Sequence, residues 1–186
     1  MISVLASKCS AASRAYIPSN LWDDVRSSII KDASSIKMGT TEDPSNFVNA
    51  VIATEQYDVK VLAQRWGETR WGYLKDHKDE SITPRVIHQL TQQPDVWIQI
   101  SVPNELQAIG KYNIGVTAGT EGDICPAEWI DKINALQLTI VPSEFTKKTF
   151  EDTAKKHGKQ ITTNLVVIPE YFDETVYNNK TVTTSI

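Results

Sequence analysis

"KYNIGVTAGTEGDICPAEWIDKINALQLTIVPSEFTKKTF", residues 111–150, decides the fold, because strand and helix signals alternate along it. Asn113–Thr117 is a β-type run that breaks into small residues, with Gly119, Glu121 and Gly122 close together. Cys125-Pro126 then reads as a helix start. Proline fixes φ for the first turn and gives up only an N–H that has no partner there. Trp129, Ile130, Ile133 and Leu136 follow at helical spacing. Leu138–Val141 is a second apolar run. Ser143 caps a second helix, which runs to about His157 and ends at Gly158. Its lysine-rich last turn complements the helix dipole.

The same alternation extends outward. Ile2–Ala6, Val59–Ala63, Val96–Val102 and Leu165–Ile168 are further short apolar runs. Most are apolar at nearly every position, which suits strands buried on both faces, as in a parallel sheet. Trp22, Val25, Ile29, Ala33 and Ile36 form one helical stripe. Asp43-Pro44 opens a helix with Phe47, Val48, Val51 and Ile52 inward, and Thr83-Pro84 repeats the signal before Val86, Ile87 and Leu90. These patterns predict an α/β fold: a doubly wound, mostly parallel, Rossmann-like sheet of about six strands. Pro103, Gly119, Ser143 and Pro169 are then expected on one carboxyl edge. Residues 65–81, "RWGETRWGYLKDHKDES", read as a charged excursion after a strand.

Composition narrows the functional classes. The chain has 186 residues, 40% of them hydrophobic and 23% charged, with a net charge of −4. That suits one globular domain and argues mildly against a general nucleic-acid binder. No apolar run approaches a membrane span and no secretory h-region is evident, so a cytoplasmic location is expected. Cys9 and Cys125 lie far apart, and His77, His88 and His157 are scattered, so no zinc spacing exists. No metal is expected.

In an open parallel sheet, ligands bind beyond the carboxyl ends of the strands. The loops singled out are 7–19, 65–73, 103–111, 118–125, 142–144 and 169–172. Gly119 and Gly122 suit either a plain turn or the close approach of a ligand to the main chain. Glu121 suits either a solvated carboxylate or a polar contact. The first loop, "SKCSAASRAYIPSN", lacks the GxGxxG fingerprint of a dinucleotide site, although Arg14 is available to an anionic group. Trp66 and Trp71 suit packing or a sugar or base face. Cys125 stands at a helix start, but no histidine lies near it in sequence to act as a base. No GxSxG nucleophile elbow occurs.

The order "YDVKVLAQRW", "PDVWIQISVPNE", "KYNIGVTAGTEG", "LQLTIVPSEFTKKTF" and "LVVIPEYFDETVY" resembles the N-terminal half of GT-B glycosyltransferases of the retaining group-1/group-4 type, including phage-encoded ones. The resemblance covers most of residues 57–177 and is strongest over 94–150. It implies an acceptor-side domain over 1–177, with 178–186 as the start of a linker or tail. It further implies a hexosyltransferase-type activity that uses a nucleotide-sugar co-substrate, needs no cofactor of its own, and requires a C-terminal donor-binding domain or subunit. Glu121 is the catalytic candidate, facing an acceptor hydroxyl and offsetting charge in an oxocarbenium-like state. In such enzymes the donor phosphate is commonly held to take the acceptor proton. Asn104, Gly119, Thr120, Arg14 and Arg70 are the substrate-binding candidates. Two alternatives stand beside this reading. One is a non-catalytic Rossmann-like module that binds carbohydrate or protein. The other is a phage DNA-base glucosyltransferase fragment with Lys111, Lys147, Lys148, Lys155 and Lys156 as its basic groove.

Overall fold

The computed structural model describes residues 2–6, 14–16, 44–62, 80–120 and 122–169. Eight strands are described: β1 (Ile2–Ala6), β2 (Arg14–Tyr16), β3 (Val59–Leu62), β4 (Val86–Ile87), β5 (Val96–Ile100), β6 (Tyr112–Val116), β7 (Leu138–Val141) and β8 (Asn164–Val167). They form one sheet in the order β4-β3-β2-β1-β5-β6-β7-β8. All pairs are parallel except those made by β2, which runs antiparallel to β1 and to β3. All six runs expected from sequence are strands. The other two, "RAY" and "VI", are too short to show a period.

Three helices are described: α1 (Pro44–Ala53), α2 (Ala127–Asn134) and α3 (Glu144–Lys156). Pro44 is the first residue of α1, and Phe47, Val48 and Val51 bury its inner face. Ser143 caps α3 by accepting a hydrogen bond from the Thr146 N–H at 3.1 Å, and Gly158 leaves the helix end at φ +64°. The Thr83-Pro84 expectation is corrected. Those residues make a single 3-10 turn, Thr83–Arg85, and Val86 is already extended at φ −68°, ψ 126°. The reason is tertiary. Val86 and Ile87 pair with Val61 and Leu62 of β3, and a β-branched dipeptide gains more there than in a helix. The predicted helix over 20–36 and the excursion over 65–81 lie outside the described residues.

Alternation along the strands divides the core in two. Val96 and Ile98, Ile114 and Val116, and Leu138 and Ile140 bury on one face with Phe47, Val48 and Val51 of α1. On the other face Val141 joins Leu106, Cys125, Ile130, Ile133, Leu136, Phe150 and Ala154, most of them from or beside α2 and α3. Helices on both faces of a largely parallel sheet make the fold doubly wound.

The topology sets the candidate site. From β1 the chain passes outward to β2, β3 and β4, then returns to β5 on the other side of β1 and continues outward to β8. The strand order therefore reverses between β1 and β5, whose ends meet at the Ala6–Ile100 pair. Pro103, Gly119, Ser143 and Pro169 each follow the end of one of the parallel strands β5 to β8. They share the carboxyl edge, as expected from sequence.

Candidate functional site

The connection beyond β5 is held from beneath. Trp97, Gln99 and Ser101 alternate toward the α2 side, and all three are buried. The Gln99 amide donates to the Glu105 carbonyl at 2.8 Å, and its oxygen accepts from the Gln107 N–H at 2.9 Å. The Ser101 hydroxyl donates to the Glu105 carboxylate at 2.6 Å. A buried amide with unmatched hydrogen-bonding groups is costly, so this set fixes the course of residues 101–107 along the crevice. Sequence reading missed Gln99 and Ser101. The only available signal was two polar side chains in the otherwise apolar run Val96–Val102.

Asn104 is exposed in the 3-10 turn Pro103–Glu105, directly beyond β5. Gly119 and Thr120 lie beyond the neighbouring strand β6, so these three candidates share one edge. Arg14 opens β2 opposite Lys60 of β3. The Arg14 side chain and all of Arg70 and Glu121 lie outside the described residues.

The glycines of "NIGVTAGTEGD" have packing reasons. A Cβ on Gly115 would stand 2.6 Å from Leu136 Cδ1 and 3.0 Å from Leu106 Cδ1, so both leucines occupy the space over β6. Gly119 has φ +70°, and a Cβ there would stand 2.6 Å from Thr146 Cγ2 and 3.5 Å from Phe150 Cε2. The close approach at Gly119 is that of α3, which accounts for glycine at this position without a ligand. The turn is secured by its own hydroxyls: Thr117 accepts from the Gly119 N–H at 3.2 Å, and Thr120 from the Gly122 N–H at 3.3 Å. Gly122 is different, being exposed, with the Ile124 carbonyl 3.5 Å from its would-be Cβ.

Cys125 is buried, and its thiol lies 3.4 Å from Thr153 Oγ1. Burial pushes its pKa up, more than the hydrogen bond to Thr153 lowers it. A thiol held neutral is a poor nucleophile, in keeping with the lack of a base near it in sequence. Burial has a consequence for stability. The unfolded thiol ionises first, so the stabilisation is complete below the unfolded pKa and is lost as pH rises through the higher folded value. Chemical denaturation of the chain is expected to show stability falling above about pH 8.5. A Cys125→Ala variant is expected to flatten that part of the profile, and an unchanged slope in the variant would refute the assignment.

The lysines considered as a basic groove do not line one edge. Lys111 precedes β6 at the amino edge and pairs with Asp95 at 2.6 Å, while Lys148 on α3 pairs with Asp152. Lys155 and Lys156 stand at the far end of α3 from Lys147. Among the described residues no three His, Cys, Asp or Glu are placed to hold a metal ion, and no helix is long and apolar enough to cross a membrane.

Comparison with known proteins points away from sugar transfer. The chain is 45% identical over 51 residues to the mitochondrial delta-1-pyrroline-5-carboxylate dehydrogenase of Dictyostelium discoideum, a stretch of 27% of this chain and 9% of that protein. It is 39% identical over 64 residues to the enzymes of the same name from Rattus norvegicus and Mus musculus, covering 33% of this chain and 10% of each. The chain thus spans about a tenth of the length of the curated relatives it matches. No family profile matches it, and no solved structure gives a significant match.

These matches contradict the GT-B resemblance and the hexosyltransferase activity drawn from it, and they lend no support to the two alternatives, the carbohydrate- or protein-binding module and the phage DNA-base glucosyltransferase fragment. The relatives are dehydrogenases. The physical reason for the false resemblance lies in the fold. Strands ending in Gly-rich or Pro-Ser turns before helices occur in any doubly wound sheet, whatever chemistry it carries.

Proposed function

We propose that this chain is related to the oxidoreductases and takes part in dehydrogenation of a small carboxylate of the delta-1-pyrroline-5-carboxylate type. The observation that carries this reading is the 45% identity over 51 residues to a dehydrogenase acting on that compound by name. The α/β architecture is compatible with it, offering a carboxyl-edge crevice between β1 and β5 of the kind in which such folds hold small ligands. We take residues 1–177 as one domain and 178–186 as its tail. We place the protein in the cytoplasm, on its composition and on the buried free thiol of Cys125, which suits a reducing compartment. The relatives are called mitochondrial, so fractionation of cells carrying a tagged chain is the check, and a mitochondrial signal would replace this location.

The substrate reading is tested by thermal unfolding of the purified chain with delta-1-pyrroline-5-carboxylate, using proline as the control. At a hundredfold excess over Kd, a ligand specific to the folded state adds about 2.7 kcal/mol. For a chain of this size that is a rise in Tm of roughly 5–10 °C. A saturable rise with the pyrroline compound and none with proline is expected. No shift at millimolar substrate would remove the proposal.

A further inference from the structure

The connection from β6 to α2 is fixed at both ends. At one end the Thr117 N–H donates to the Ile140 carbonyl of β7 at 3.0 Å. At the other the Cys125 N–H donates to the Thr153 hydroxyl of α3, also at 3.0 Å. Between these points the connection meets α3, where Thr146, Thr149 and Thr153 recur at helical spacing and are all buried. Their hydroxyls reach Ala118, Gly122 and Cys125 in the same order, but the three ties are unequal.

A hydroxyl has one proton to give and two lone pairs with which to accept. Thr153 gives its proton to the Thr149 carbonyl one turn back at 2.7 Å, so it accepts the Cys125 N–H without competition. That N–H belongs to a buried residue, and breaking the bond would leave it unmatched away from water. Thr149 is placed differently. Its one proton has two acceptors at the same distance of 3.1 Å, the Gly122 carbonyl and the Phe145 carbonyl of its own helix. Thr146 repeats the choice, with the Ala118 carbonyl at 3.5 Å and the Ser143 hydroxyl of the α3 cap at 3.1 Å. Bonding back within a helix is an ordinary alternative for threonine. Ala118 and Gly122 are exposed, so water can take the place of either hydroxyl at their carbonyls. Release at these two positions therefore strands no polar group, whereas release at Cys125 strands one.

We infer that the β6–α2 connection is a strap, held at Thr117 and Cys125, whose Ala118 and Gly122 ties to α3 open and close in the native protein. On opening, the protons of Thr146 and Thr149 pass to the acceptors within α3 and its cap. The strap carries Gly119 and Thr120, so its position sets how open the carboxyl edge stands beyond β6. None of this depends on the substrate proposed above.

Amide exchange of the full chain under native conditions is the test, read at Gly119, whose N–H donates to the Thr117 hydroxyl at 3.2 Å, and at Cys125. In the parent, Gly119 is expected to be at least about tenfold less protected than Cys125, at a rate that low denaturant does not change. Thr149→Val keeps the shape and removes the hydroxyl. It is expected to speed exchange at Gly119 roughly three- to tenfold, the worth of one net hydrogen bond. Cys125 exchange should stay at the parent rate and Tm within about 2 °C of the parent. Thr149→Ser keeps the hydroxyl and is expected to restore the parent rate at Gly119. Thr153→Val is expected to lower Tm by roughly 4–12 °C and to speed exchange at Cys125. Equal protection of Gly119 and Cys125 in the parent, an unchanged Gly119 rate in Thr149→Val, or a fall in Tm as large in Thr149→Val as in Thr153→Val would overturn the inference. If Thr153→Val does not fold, the Thr149 variants still decide, because the Gly119 rate and the Cys125 rate are both read in them.

Discussion

Replacing Gly119 with alanine is expected to lower stability by about 3 kcal/mol, which for a chain of this size is a fall in Tm of roughly 6–12 °C. Two costs add. At φ +70° a Cβ meets the strain that confines left-handed backbone largely to glycine, about 1–2 kcal/mol. The same Cβ would stand 2.6 Å from Thr146 Cγ2, and overpacking of this kind typically costs about 1–3 kcal/mol. Thr146 is β-branched and sits in the first turn of α3, so it has little freedom to withdraw. Gly158 supplies the control: its φ is +64°, but nothing lies within 4 Å of the position a Cβ would take. Gly158→Ala is therefore expected to cost only the backbone share, about 1 kcal/mol. Adding Thr146→Ser to Gly119→Ala removes the clashing methyl, keeps the hydroxyl, and is expected to return part of the loss. Equal costs for the two glycine variants in a denaturant titration would show that packing against α3 is not what selects glycine at 119.

The strands were legible because burial on both faces leaves an unmistakable record: "VWIQI", "YNIGV" and "LTIV" are nearly apolar throughout, and each is a strand buried at most positions. Helix starts were less secure. Asp43-Pro44 and Thr83-Pro84 carry the same local signal, yet only the first begins an α-helix. What separates them is the next few residues. Phe47, Val48 and Val51 recur at helical spacing, whereas Val86 and Ile87 stand side by side and find an open edge at β3. A partner strand far away in sequence decided the matter, and local propensity carries no information about it.

The site was legible only as a place. Parallel topology put Asn104, Gly119 and Thr120 on one edge, and that much follows from strand alternation. The residues that stiffen the edge, Gln99 in β5 and Ser101 just beyond it, were hidden because a lone polar residue in an apolar run has no period to betray its hydrogen bonds. Function was not legible from the motifs at all. Turns such as "VPSEF" answer to strand ends and helix caps, here the Ser143 cap of α3, and those demands are common to unrelated chemistries.

Phe150 links the glycine turn to the core, and its removal is expected to have the largest effect of any single truncation considered. It is fully buried among the residues around α2 and α3, with its ring centroid 6.5 Å from that of Trp129. Phe-to-Ala changes in a packed core cost about 3–5 kcal/mol, through lost transfer free energy and the cavity left behind. Phe150→Ala is therefore expected to lower Tm by roughly 6–20 °C. Phe145 lies on the same helix but is 52% exposed, and Phe145→Ala is expected to stay within about 0.5 kcal/mol of the parent. The loss should also reach the candidate edge. The Thr146 hydroxyl lies 3.5 Å from the Ala118 carbonyl and the Thr149 hydroxyl donates to that of Gly122 at 3.1 Å, so α3 helps to hold Ala118 and Gly122 in place. Loosening its inner face should speed amide exchange at Gly119 and Gly122 more than at Gln107, which Gln99 holds independently. Matching melting temperatures for the two phenylalanine variants, or exchange that rises equally at Gly119 and Gln107, would refute the assignment of α3 as the support of this edge.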